Sequence, residues 1–128
     1  MIESPDAFPL LVQACPSFRP AWEAHLREWG NDVLYIAAGN LADHLLALLG
    51  SGRIEAFAPV AQAIERLLVE GTPEVQTLAV VGVIEGIQNG WANQGTDPGI
   101  FGAYLGPEGR RNWQALNEFW GGAGAGEA

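Results

Sequence analysis

Apolar residues recur at three- to four-residue intervals along most of this chain, the spacing of helices that each bury one face. The pattern predicts a short helix over 6–14, carried by Phe8, Leu10, Leu11 and Val12 and stopped before Pro16. Ser17 stands where it would cap a second helix reaching Trp29, with Pro20 in a first turn that tolerates proline. Trp22, Leu26 and Trp29 share a stripe of that helix, and Gly30 ends it. A long helix then starts at Asn31 or Asp32 and runs to Leu49. Leu34, Ala38, Leu41, Leu45 and Leu48 form its core stripe, with Asp32 and Asp43 on the opposite side.

Gly50-Ser51-Gly52 breaks the pattern, and two further helices over Arg53–Asn89 form the predicted centre of the fold. The first carries Phe57, Val60, Ala61, Ile64 and Leu68 on one face, with Pro59 near its start. The second begins with Thr72 as N-cap and Pro73 at the first helical position. It is apolar nearly all round, with Val75, Leu78 and Val81 on one side and Val80, Val83 and Ile87 on the other, the mark of a buried central helix. Its run Val80-Val81-Gly82-Val83-Ile84 also suits a strand, but no second strand exists to pair with it. Gly82 and Gly86 would let a neighbouring helix approach closely. Residues Trp91–Gly99 read as a loop, Ile100–Leu105 as a short turn, and Gly106-Pro107-Glu108 as the start of a last helix to Trp120, with Trp113, Leu116, Phe119 and Trp120 on one face.

The expected fold is therefore all-α: a single compact domain over 1–120, built of five or six helices in antiparallel hairpins, with a flexible Gly/Ala-rich tail over 121–128. The partial likeness of Ala61–Glu70 to Val81–Gly90 suggests hairpin stacking of the HEAT type.

Charge narrows the partners. Fifteen acids stand against six bases, all arginine, for a net charge of −9. Phosphate backbones are bound through Lys and Arg, so nucleic acid is not an expected partner. A basic protein is, since opposite charge speeds encounter. The lone Cys15 excludes an internal disulfide. The amino-terminal residues lack the basic and apolar regions of a secretory signal. No apolar run approaches membrane-spanning length. A cytoplasmic location with no membrane partner is expected.

Two glutamates in apolar settings, Glu65 and Glu85, demand a physical account, because an ionised carboxylate among apolar side chains is costly unless paired. Glu85 reads foremost as a structural tie to a helix end, Arg66 or Asn89. Bundles build di-metal sites from Glu-x-x-His pairs, but Leu68 and Gln88 stand where those histidines would be. No nucleophile elbow, P-loop or triad emerges, so no catalytic residue, metal or cofactor is expected. Among the tryptophans, Trp91 beside the polar segment Asn93–Asp97 is the one expected to be partly exposed. The candidate partner-binding residues are Asp43, Glu65, Glu70, Glu74, Glu85, Trp91 and Asp97.

The pattern Phe57-…-Ile64-Glu65-Arg66-Leu67-Leu68-…-Glu74-Val75-…-Val81-Gly82-…-Ile84-Glu85-…-Gln88-Asn89 is similar to a family of small bacterial helical domains of unknown function. Leu105-Gly106-Pro107-…-Trp113-…-Leu116-…-Phe119-Trp120 resembles that family's closing motif. The likeness covers most of residues 30–120 and implies an immunity-type, toxin-neutralising role. The leading expectation is a non-enzymatic acidic inhibitor that binds a basic toxin domain. The alternatives are a small helical ligand- or metal-binding domain using Glu65, Glu85 and His44, and a scaffold that self-associates through its aromatic C-terminal segment.

Overall fold

Gly71 is the corner on which the fold turns. A Cβ at this position would stand 2.6 Å from Val75 Cγ1 and closer still to the Leu67 carbonyl, so only glycine leaves room for the chain to reverse. Helix α4 (Phe57–Glu70) ends there and α5 (Pro73–Thr77) begins two residues on. Thr72 caps the new helix as expected, its Oγ1 accepting the Val75 N–H at 3.3 Å. The amino terminus locks the corner from outside: Ile2 donates to the Glu70 carbonyl at 2.8 Å and accepts from the Thr72 N–H at 2.9 Å. This isolated parallel bridge has no signature in the helical pattern.

The structure is a computed structural model that describes the backbone of residues 1–127 and the side chains of residues 1–119. The tail expected over 121–128 lies outside the described side chains. The chain forms a single compact all-α domain. In order it runs through α1 (Ser4–Ala14), a 3₁₀ turn (Pro16–Phe18), α2 (Arg19–Trp29), α3 (Leu34–Gly50), α4 and α5. It continues through a π-helical segment (Leu78–Ile84), α6 (Glu85–Asn93), α7 (Gly99–Gly102) and α8 (Pro107–Glu127). Helix α5, the π segment and α6 join end to end in one rod, 73–93, which touches α1, α3, α4 and α8. That is the central helix anticipated from its apolar run, extended past Asn89. None of the described helices is long and apolar enough to cross a membrane.

The rod packs on α3 through its glycines. A Cβ on Gly82 would lie 3.2 Å from both the Ala38 Cβ and the Tyr35 ring, and one on Gly86 would lie 4.0 Å from the Ala42 Cβ. Small residues on both helices let the backbones come close, as the four-residue spacing of the glycines suggested.

Three local expectations are corrected. Ser17 does not cap α2; its hydroxyl bonds His44 Nε2 at 2.8 Å, and the 3₁₀ turn leads into α2 without a side-chain cap. Helix α3 starts at Leu34, because Gly30 at φ 62° carries the turn on through Val33. Trp91 is wholly buried, not partly exposed. The helix continues two residues beyond it, which turns the indole inward against Phe57 and Phe101, at centroid separations of 6.0 and 6.2 Å. Its N–H donates to the Ala42 carbonyl at 3.0 Å. Trp29 is the tryptophan left substantially exposed among the described side chains.

Candidate functional site

The α2–α3 turn carries the chain's one non-glycine residue with positive φ among those described. Val33 sits in the left-handed region (φ 47°, ψ 48°). Its β-branched side chain makes this conformation costly, of order 1–2 kcal/mol relative to the right-handed region. The turn is held from beneath by His25, whose Nε2–H donates to the Asp32 carbonyl at 2.9 Å while its ring stacks on Trp22 at 5.4 Å. His25 is 4% exposed, so this tie is a buried one.

Opposite the turn stands the first half of the rod. The Glu85 N–H reaches back five residues to the Val80 carbonyl, the π-type bond that ends the wide segment Leu78–Ile84. Such segments are rare and recur at functional sites. Between turn and rod lies a groove of about 560 Å³, walled by Val33, Leu34, Tyr35, Pro73 and Leu78, with Glu74 at its edge. On the other side of the rod a second groove of about 520 Å³ opens toward Glu108, Arg111 and Asn112 of α8. Pro73 and Thr77 border both grooves, so α5 forms a ridge between them. Val33 and Tyr35 on the first groove and Val81 on the second are 45%, 49% and 47% exposed, large apolar side chains left uncovered.

The acidic residues singled out from the sequence do not gather here, with the exception of Glu74. Its carboxylate makes no hydrogen bond or ion pair among the described residues. Glu65 is half-buried and turned to α8, where its two oxygens accept the Glu108 and Gly109 N–H groups at 3.0 and 2.9 Å. Glu70 is paired twice with Arg66, at 2.9 and 3.2 Å. That pairing holds its carboxyl below the usual range and raises Arg66 further. Asp97 turns onto its own chain, accepting the Gly99 N–H at 2.9 Å to start α7. Asp43 is exposed on the outer face of α3. Glu85 is half-buried at the start of α6 and, among the described residues, bonds neither Arg66, which is bound to Glu70, nor Asn89, and the helix-end bond belongs to Glu65.

His44 does not meet Glu65 or Glu85 either. It is bonded to Ser17 and lies beside the Phe18 ring at 5.6 Å, and partial burial pushes its pKa below the ordinary histidine value. Among the described residues no three His, Cys, Asp or Glu side chains stand close enough to hold a metal ion.

Residues 8–121 match a protein family described as Domain of unknown function (DUF7674). The chain belongs to this family. No curated protein and no solved structure matches it significantly.

In this DUF7674 domain the groove offers apolar walls, an aromatic face and one free carboxylate. That combination suits recognition by shape and charge. Sequence reasoning reached Glu74 but not Val33 or Tyr35, which lie next to the expected helix start. The signal was Gly30 followed by Asn31 and Asp32: a turn-forming run long enough to delay the helix past Val33.

Proposed function

We propose that this domain is a non-enzymatic binding protein that engages a basic protein partner with the ridge of α5 and the grooves beside it. The observation that carries the reading is that a strained valine, a π-helical segment and uncovered apolar side chains border the two grooves beside that ridge. Backbone strain persists only where surrounding structure holds it, and it concentrates at ligand clamps. An uncovered apolar patch marks an interaction site more often than an ordinary surface. The net charge of −9 favours a cationic partner. The sequence resemblance of residues 57–89 and 105–120 implies an immunity-type role, and on that implication the partner is a bacterial toxin domain, neutralised in the cytoplasm by direct contact.

The test is affinity capture of the tagged domain from its host, followed by binding measurements with the recovered protein. Val81→Arg places bulk and positive charge in the second groove beside the ridge, and Ile54→Arg makes the same change at an exposed position lining neither groove. One basic protein whose binding is lost with Val81→Arg and kept with Ile54→Arg supports the reading. A partner indifferent to Val81→Arg overturns the proposed surface. A ligand retained through Glu85 or His44 instead would favour a small-molecule site.

A further inference from the structure

We propose that the groove between the α2–α3 turn and α5 is an arginine-anchor site, taking a guanidinium side chain from the partner. The proposal rests on the protein-binding reading above and specifies its chemistry.

The walls set the first requirement. Val33, Pro73 and Leu78 present aliphatic surface, which favours a long apolar stem over a short polar side chain. The charge sets the second. Glu74 is the one ionisable carboxylate on the groove, it is exposed, and no base lines the cavity with it. Two carboxylates close to the α4–α5 corner and at the start of α8 are held by arginines, Glu70 by Arg66 and Glu108 by Arg111. Glu74 has no such partner among the described residues, and it is the acid that lines the groove, placed to accept a cation from outside. Tyr35 sets the third requirement. Packing over Gly82 fixes one edge of its ring, yet half of the residue remains open on the groove, a face on which a flat cation can stack.

A guanidinium meets all three requirements together. It is planar, so it stacks on an aromatic face, and its parallel N–H groups match the two oxygens of a carboxylate. An ammonium on an aliphatic stem meets the charge requirement but offers neither the fork nor the plane. The cavity, at about 560 Å³, has the size of ligand sites generally and admits the side chain with part of the backbone that carries it.

The experiment is an NMR titration of the isotope-labelled domain with three blocked tripeptides, acetyl-Gly-X-Gly-amide, where X is arginine, lysine or citrulline. Citrulline keeps the shape of arginine and removes its charge. The expected result is saturable amide shifts confined to residues 31–35 and 73–78 with arginine, several-fold weaker binding with lysine, and none with citrulline. Glu74→Gln should abolish the arginine response and Tyr35→Leu should reduce it several-fold, each with an otherwise unchanged spectrum. Equal response to citrulline, or shifts elsewhere on the domain, overturns the anchor. So does a captured partner that loses binding with Val81→Arg yet binds Glu74→Gln and Tyr35→Leu at full strength. That last outcome leaves the protein-binding reading standing. Conversely, an arginine response confined to the groove, with a partner indifferent to Val81→Arg, keeps the guanidinium site and overturns the docking surface that spans both grooves.

Discussion

Glu65 and Gly109 lie 44 residues apart and share a hydrogen bond of 2.9 Å, a side chain of α4 serving as the cap of α8. The second oxygen takes the Glu108 N–H, so both N–H groups after Pro107 are satisfied by one carboxylate. The approach depends on Gly106, where a Cβ would stand 3.0 Å from the Glu65 carboxyl carbon. Negative charge at a helix amino end gains from the helix dipole as well. Glu65→Ala strands two half-buried donors and should cost about 1–3 kcal/mol. Glu65→Gln keeps one acceptor oxygen and should cost less. Urea denaturation followed by circular dichroism measures both. Equal midpoints for wild type and Glu65→Ala would mean that α8 does not depend on this tie.

The two glycines of the rod should respond in opposite directions to the same substitution. At Gly82 a methyl group meets Leu78, Ala38 and Tyr35 at 3.1–3.2 Å, and the Ala38 Cβ is fixed to the backbone of α3. The rod must then move away from α3, and Gly82→Ala should destabilise by about 1–3 kcal/mol, the usual cost of overpacking. At Gly86 the nearest atom is at 4.0 Å, so alanine fits. Gly86→Ala should gain up to about 1 kcal/mol from helix propensity. Thermal melts of the two variants give the comparison, and a stabilised Gly82→Ala would contradict the close crossing of α3.

Much of this architecture was legible because helical periodicity is a property of local sequence. Thr72-Pro73 announced the start of α5, and the Gly82–Gly86 spacing announced a close helix crossing. What local sequence could not convey was which partner each polar group would find. Glu65 read as a carboxylate in an apolar setting with no partner in sight because the N–H groups that bond it lie on α8, 43 and 44 positions away. Trp91 looked exposed because polar residues follow it, whereas its burial is set by Phe57, Phe101 and the Ala42 carbonyl. The groove escaped notice for the same reason: Tyr35 and Glu74 become neighbours of one cavity only when α3 and the rod pack together.

Val33 offers a test of whether strain is kept for function. Glycine adopts the left-handed region without penalty, so Val33→Gly should relieve roughly 1 kcal/mol of strain. The variant loses an exposed side chain and none of the core, so its urea midpoint should rise or hold. Binding to the partner should weaken, because the groove loses an apolar wall. A variant that is both more stable and fully competent in binding would show that Val33 contributes nothing to the surface.

The pH response should come in part from His44. Burial lowers its pKa in the folded domain, so near and below the ordinary value of about 6.5 the unfolded chain binds more protons than the folded one. Stability from this group is thus fully present above that value and is lost as pH falls through the folded pKa. The Ser17 hydroxyl at 2.8 Å can donate to the neutral ring, and protonation removes that acceptor. Urea midpoints should therefore fall from about pH 7.5 to about pH 5.5, a window spanning the ordinary histidine value, and the fall should shrink in His44→Gln. An NMR titration of the ring protons gives the independent check: a His44 pKa above the ordinary histidine value would reverse the sign of the effect and refute the burial that drives it.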